Sequence, residues 1–144
     1  MKRWPIMLAC WMGIFLTGCN REPQTVESQK WQIGFVMKVL NNPFFIRMEE
    51  GARQAARDLN VDLIVQAADR EIDVERQMQI IENLIEARVS ALCVTPSGSR
   101  EVVAAIAKAN QAGIPVLIVD TKVDEPTARE MKVKYVAFIG SDNY

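Results

Sequence analysis

The sequence contains no histidine at all. That one absence removes serine–histidine and cysteine–histidine catalysis, imidazole metal sites and imidazole pH switching. Cysteine is nearly as scarce. Cys10, Cys19 and Cys93 have neither zinc-knuckle nor C-x-x-C spacing, so the sequence supports no metal site and no reactive dithiol. Glycine-rich phosphate loops are missing too: neither G-x-G-x-x-G nor G-x-x-x-x-G-K-S/T occurs, and nucleotide binding loses its usual cradle. There is no G-x-S-x-G nucleophile elbow. Asp69 and Asp120 belong to different predicted strands, so a glycosidase carboxylate pair cannot be argued from spacing. A formal net charge of −1 leaves no electrostatic footprint for nucleic acid. No catalytic residue, cofactor or metal is assigned.

What is present is ordinary globular material: 144 residues, 49% hydrophobic and 24% charged, enough for one domain with a real core. Residues 1–18 read as a signal peptide. Lys2-Arg3 opens it, and the apolar stretch from Trp4 to Phe15 is shorter than the ~20 residues that span a bilayer. Leu16-Thr17-Gly18-Cys19 follows and resembles the bacterial lipobox. That resemblance implies cleavage before Cys19, diacylation of its thiol and anchoring to a membrane of the cell envelope, each buried methylene adding about 0.8 kcal/mol. The alternative is an ordinary export signal with an incidental cysteine. Residues 19–30 are polar and aperiodic, as a flexible tether would be.

From Trp31 onward, short β-branched runs alternate with amphipathic helices. Strands are expected at Gln32 to Val36 or Met37, Val61 to Ala67, Ser90 to Val94, Pro115 to Val119 and Val133 to Ile139. The first helix is expected from Pro43 to Leu59, with Phe45, Met48, Ala52, Ala55 and Leu59 on its core face. Asn60 suits its stop. Asp73 caps a second helix with Val74, Met78, Ile81 and Ile85 as its stripe. Ser99 is the expected cap of a third helix, Arg100 to Ala112, which buries Val102, Ile106 and Ala109 and stops at Gly113. Asp124-Glu125-Pro126 reads as a polar loop. Such alternation predicts an α/β fold, a doubly wound parallel sheet of strand order 2-1-3-4-5. Ligands of such sheets sit beyond the carboxyl ends of the strands, here Lys38 to Asn42, Ala67 to Arg70, Thr95 to Ser99 and Asp120-Thr121.

The strand-to-helix corner Asn41-Asn42-Pro43-Phe44-Phe45 stands on that rim. Asn42 suits an N-cap and Pro43 the first helical position. Two aromatics beside an amide pair either grip a small polar ligand with flat apolar faces or simply cap and pack. Asp120 is either a helix cap or loop anchor, or an acceptor of two hydroxyls through charge-assisted hydrogen bonds. Lys38 is a solvated rim charge or a ligand contact. The charge run Glu71 to Arg76 reads as an exposed helix start, and Cys93 as a small core hydrophobe.

These residues carry a family resemblance. Ile33-Gly34-Phe35-Val36 with Leu40-Asn41-Asn42-Pro43-Phe44-Phe45 resembles the start of the ribose-type periplasmic sugar-binding proteins. Gly51-Ala52, Ile80 to Ile85, Ala109 to Val116 and Val119-Asp120 continue it, and Phe138 to Tyr144 close it. It implies a solute receptor that closes two similar lobes around a monosaccharide and hands it to ABC permease subunits. It further implies that Asn42 hydrogen-bonds sugar hydroxyls, that Phe44 and Phe45 stack on the sugar's C–H faces, and that Asp120 bonds hydroxyls. Ribose receptors follow that aspartate with arginine. Thr121 stands there instead, so one donor is lost or supplied by Lys38, and ribose itself is in doubt. Where relatives commonly place glycine after the second helix, this chain has Arg88. Ser141, Asp142 and Asn143 match the family's hinge crossing, after which the sequence ends, so the N-terminal lobe alone is expected, with weak or no sugar binding by itself. Micromolar affinity would refute that expectation. A sensory receptor that presents a sugar or signal molecule to a membrane histidine kinase or chemoreceptor is the alternative role. LacI-type repressors share this ligand core but need an upstream helix-turn-helix, where residues 1–30 hold a signal and tether.

Overall fold

A computed structural model describes residues 30–141. The signal peptide, Cys19 and the hinge residues Asp142 and Asn143 lie outside the described residues. Five strands, β1 (Gln32–Met37), β2 (Asp62–Ala67), β3 (Ala91–Val94), β4 (Val116–Val119) and β5 (Ala137–Ile139), form one sheet of order β2-β1-β3-β4-β5. Every pairing is parallel. Helices α1 (Pro43–Asp58), α2 (Val74–Glu86), α3 (Val102–Gln111) and α4 (Glu125–Glu130) connect them. The predicted fold class and strand order are therefore observed.

Strand periodicity sorts the core onto two faces. Val36, Leu92, Val94, Val116 and Ile118 point toward α2 and α3, meeting Ile80, Ile81, Leu84, Val103 and Ile106. Phe35 and Met37 point the other way, to Phe45 and Val39 beneath α1. Gly34 sits where α2 presses closest: a Cβ there would lie 2.9 Å from both Leu84 Cδ1 and Leu92 Cδ2. The missing side chain lets helix and sheet meet.

Several boundaries and faces differ from expectation, for identifiable reasons. Along α1 the buried position is Ala56, eleven residues or about three turns after Phe45, whereas Ala55 is exposed and Leu59 is the C-cap, 72% exposed. On α2 the stripe is rotated: Gln77, Ile80, Ile81 and Leu84 are buried, while Val74, Met78 and Ile85 lie at its margins. A polar residue, Gln77, holds the centre, which hydrophobic periodicity cannot see. Ser99 does not cap α3. The helix starts at Val102 behind Glu101 with no side-chain cap, and the Ser99 carbonyl instead accepts the Asp124 N–H at 2.9 Å. Strand five is shorter than expected because the Asn110 side chain takes both backbone groups of Lys134, its N–H at 2.7 Å and its C=O at 2.9 Å. Arg88 does fill a left-handed position, with φ +56°; such a conformation carries a modest strain outside glycine.

The segment read as a loop, Asp124-Glu125-Pro126, opens helix α4. Asp124 is its N-cap, accepting from the Thr127 N–H at 3.0 Å and from the Thr127 hydroxyl. The side-chain bond first, and the backbone bond next, hold the Asp124 carboxyl below its ordinary value. A depressed folded-state value means that the stabilisation is present above the unfolded pKa, about 3.9, and is lost as pH falls through the folded value. Asp124→Asn is therefore expected to flatten the acid limb of a urea-midpoint curve below about pH 4. Parallel curves for the two proteins would remove Asp124 from the acid response.

Candidate functional site

The carboxyl ends of the strands form one rim, and the chain's polar chemistry gathers there. Asn42 takes an extended conformation (φ −98°, ψ 130°) and caps α1, its Oδ1 accepting from the Phe44 N–H at 3.0 Å. Its amide nitrogen donates to Glu71 Oε1, also at 3.0 Å. The β1–α1 corner is thereby joined to the loop after β2. The first turn of α1 is fastened by Phe45, only 4% exposed and packed with Phe35, Met37 and Val39. Phe44 turns outward and is 48% exposed. The two rings meet edge to face, 5.2 Å between centroids at 78°. Helix phase thus divides the aromatic pair: Phe45 anchors, and Phe44 presents a ring face.

At the other side of the corner, Lys38 follows the end of β1. Its side chain is 19% exposed, and Nζ lies 3.9 Å from Asp120 Oδ2. Asp120 ends β4 with φ +64°, a left-handed conformation that aspartate tolerates better than most residues. Its N–H donates to the Ile139 carbonyl at 2.7 Å, which fixes the turn. The Thr121 hydroxyl donates to the same Oδ2 at 3.0 Å. Both neighbours therefore address one carboxylate oxygen, and Oδ1 makes no side-chain hydrogen bond among the described residues. Behind the rim, buried Gln77 donates to the Met37 and Thr95 carbonyls at 3.4 and 2.9 Å and accepts from the Ser97 N–H at 2.8 Å.

Of the residues singled out in the sequence, Lys38, Asp120 and Thr121 form one cluster, and Asn42, Phe44 and Phe45 form the adjoining corner. Ser141 is exposed just past β5. Asp69 is exposed beside Glu71's loop and makes no ion pair among the described residues. Glu71 and Gln77 were not foreseen as rim residues. Glu71 lies one residue beyond the predicted rim segment, and its position after a strand end was the available signal. Cys93 lies on β3, and burial pushes its thiol up, toward the protonated, unreactive form. A groove of about 510 Å³ lies at the opposite end of the sheet, among Ala107, Asn110, Ile114, Met131 and Val133. The Asn110 amide in its lining is already engaged by Lys134. The rim is where free donors, acceptors and a ring face meet.

A parallel α/β sheet here carries amides, a carboxylate, an ammonium and an exposed aromatic ring at its strand ends, the place where ligands of such sheets sit. The family model of the periplasmic binding protein domain matches residues 33–144, and the chain belongs to that family. It is 34% identical over 140 residues to the D-ribose/D-allose-binding protein of Pseudomonas aeruginosa, covering 96% of this chain and 42% of that protein. With the ribose import binding protein of Bacillus subtilis it shares 28% over 135 residues, 89% of this chain and 41% of that one. The chain thus spans about two-fifths of the length of these relatives. Among solved structures, an ABC transporter periplasmic solute binding protein from Actinobacillus succinogenes with bound D-allose superimposes with TM-score 0.73 at 38% identity. The match covers 75% of this chain and 38% of that one. A solute binding protein from Burkholderia multivorans gives TM-score 0.75 at 33% identity, over 79% and 41% of the two chains.

Proposed function

We propose that this chain supplies the first sugar-gripping lobe of a solute receptor. The receptor hands a monosaccharide to the permease subunits of an ABC importer, and a lipid on Cys19 holds the exported chain to the envelope membrane. The observation that carries the sugar reading is the rim itself. A half-exposed Phe44 ring stands beside the Asn42 amide. On the far side of the corner, the Lys38 side chain is 19% exposed and its ammonium lies 3.9 Å from Asp120. A pyranose or furanose has an apolar C–H face for the ring and vicinal hydroxyls for a carboxylate and an ammonium. Charge-assisted bonds to those hydroxyls are the strong ones. Phe44 supplies the stacking face in this reading, Phe45 backs it, and Thr121 holds the Asp120 carboxylate. Ser141, Asp142 and Asn143 are the hinge. The relatives' names, D-ribose/D-allose-binding and ribose import binding, support a monosaccharide ligand.

Amide ¹H–¹⁵N spectra of the full chain, titrated with D-ribose, D-allose and further monosaccharides, test it. Shifts that saturate with added sugar are expected at Lys38 to Phe45 and at Asp120-Thr121. Silence at the rim for the whole panel, or shifts confined to the opposite groove, would remove the sugar from the reading. Palmitate labelling that survives Cys19→Ser would remove the anchor.

A further inference from the structure

The geometry points to Glu71 as a positioning residue for Asn42, deciding which hydrogen-bonding atoms of that amide a ligand meets. An asparagine side chain offers two lone pairs and two N–H donors. In this corner the Oδ1 must accept the Phe44 N–H, at 3.0 Å, because that bond caps α1. The nitrogen then faces Glu71 Oε1, at 3.0 Å. A flipped amide would set its oxygen against a carboxylate oxygen and its nitrogen against a backbone N–H, two repulsive contacts in place of two bonds. Glu71 therefore fixes the amide in one orientation. What remains for a ligand is one N–H donor and one Oδ1 lone pair, side by side next to the exposed Phe44 ring.

The bond also has a topological consequence. Asn42 lies on the β1–α1 corner and Glu71 on the β2–α2 loop, 29 residues apart. Backbone hydrogen bonds tie the Glu71 loop to its own helix: Asp73 N–H reaches the Arg70 carbonyl at 3.1 Å and Val74 N–H the Ile72 carbonyl at 3.0 Å. The carboxylate is thus presented from a folded turn. Side-chain exposure at the rim keeps the stabilising effect of this one bond on the fold small, so its main effect falls on the orientation of Asn42.

The role presupposes a polyhydroxyl ligand at this rim, but its test separates the two ideas. The side-chain ¹H–¹⁵N signals of Asn42 in the full chain report the amide directly, and D-ribose and D-allose serve as probes. In Glu71→Ala, the two Asn42 amide proton signals are expected to draw together as the bonded N–H is released. Affinity for the responding sugar should fall about fivefold, as loss of one modest hydrogen bond predicts, with the urea midpoint unchanged. Glu71→Gln keeps an acceptor oxygen at the same reach and should restore both the signal separation and the affinity to within about twofold. If E71A leaves the Asn42 signals at their wild-type positions, Glu71 does not position Asn42, whatever the sugars do. If E71A moves the signals but sugar affinity is unchanged, the orientation is held yet does not govern binding, and the proposal falls. If wild type ignores every sugar while E71A still moves the signals, the sugar reading fails and the hold of Glu71 on Asn42 stands.

Discussion

Gln77→Leu is expected to cost about 2–4 kcal/mol of unfolding free energy, although leucine has nearly the same volume and is more apolar. Gln77 is 1% exposed on α2. It satisfies the Met37 carbonyl at the end of β1, and the Thr95 carbonyl and Ser97 N–H after β3. Each buried group left without a partner costs about 1–3 kcal/mol. Leucine would return part of that, about 1.5–3 kcal/mol for a fully buried side chain. Three orphaned groups outweigh one gained side chain. Gln77→Glu should be worse at neutral pH, since a carboxylate would face two carbonyls it cannot donate to. Urea unfolding of both variants at constant m-value measures the difference, and a loss under about 1 kcal/mol for Q77L would show that water replaces the amide. The consequence for the rim follows from position. Met37 immediately precedes Lys38, so Gln77 sets where the lysine loop sits relative to the loop after β3.

Which features were legible in the sequence follows from what each kind of signal can carry. Strand order and helix placement were legible because apolar residues in β1, β3 and β4 alternate or run continuously, and because Asn42, Asp73 and Gly113 mark helix ends by their own chemistry. Side-chain pairings across distant loops leave no such mark. Glu71 has the sequence context of a solvated helix start, since nothing in Glu71-Ile72-Asp73 reveals that the carboxylate meets an amide 29 residues earlier. Gln77 escaped because hydrophobic periodicity counts only apolar residues. Helix α4 escaped because six residues, Glu125–Glu130, are too few for a stripe; the aspartate–proline start was its one cue. The division of labour between Phe44 and Phe45 needed the helix phase, which two adjacent aromatics cannot define. The family resemblance implies stacking by both rings; in the fold Phe45 is 4% exposed and Phe44 48% exposed.

On the proposed sugar-lobe reading, Asp120→Asn is expected to weaken monosaccharide binding by about 10- to 100-fold, a hydrogen bond to a charged acceptor being worth about 1.5–3 kcal/mol. Asparagine is the informative replacement because it tolerates the left-handed backbone that position 120 adopts, φ +64°, so the turn survives. It also keeps an oxygen for the Thr121 hydroxyl, which now reaches Oδ2 at 3.0 Å. What it removes is charge. The Lys38 ammonium, 3.9 Å from Oδ2, loses its one ion-pair partner among the described residues, and the Asp120 side chain is itself only 26% exposed, so the pair is not fully screened. Asp120→Ala combines that loss with backbone strain, because alanine has no short polar side chain to support a left-handed turn. It should therefore lower stability as well as affinity, which makes it a poor probe alone. Titration of D120N with the sugar that shifts the rim of the wild-type chain, run beside a urea midpoint, separates the two effects. Near-wild-type affinity in a stably folded D120N would mean that Asp120 anchors its loop and that Lys38 and Asn42 bind without it. A large loss at unchanged stability would assign the carboxylate to the ligand, with Lys38 and Thr121 holding it in place through Oδ2 and leaving Oδ1 for the hydroxyls.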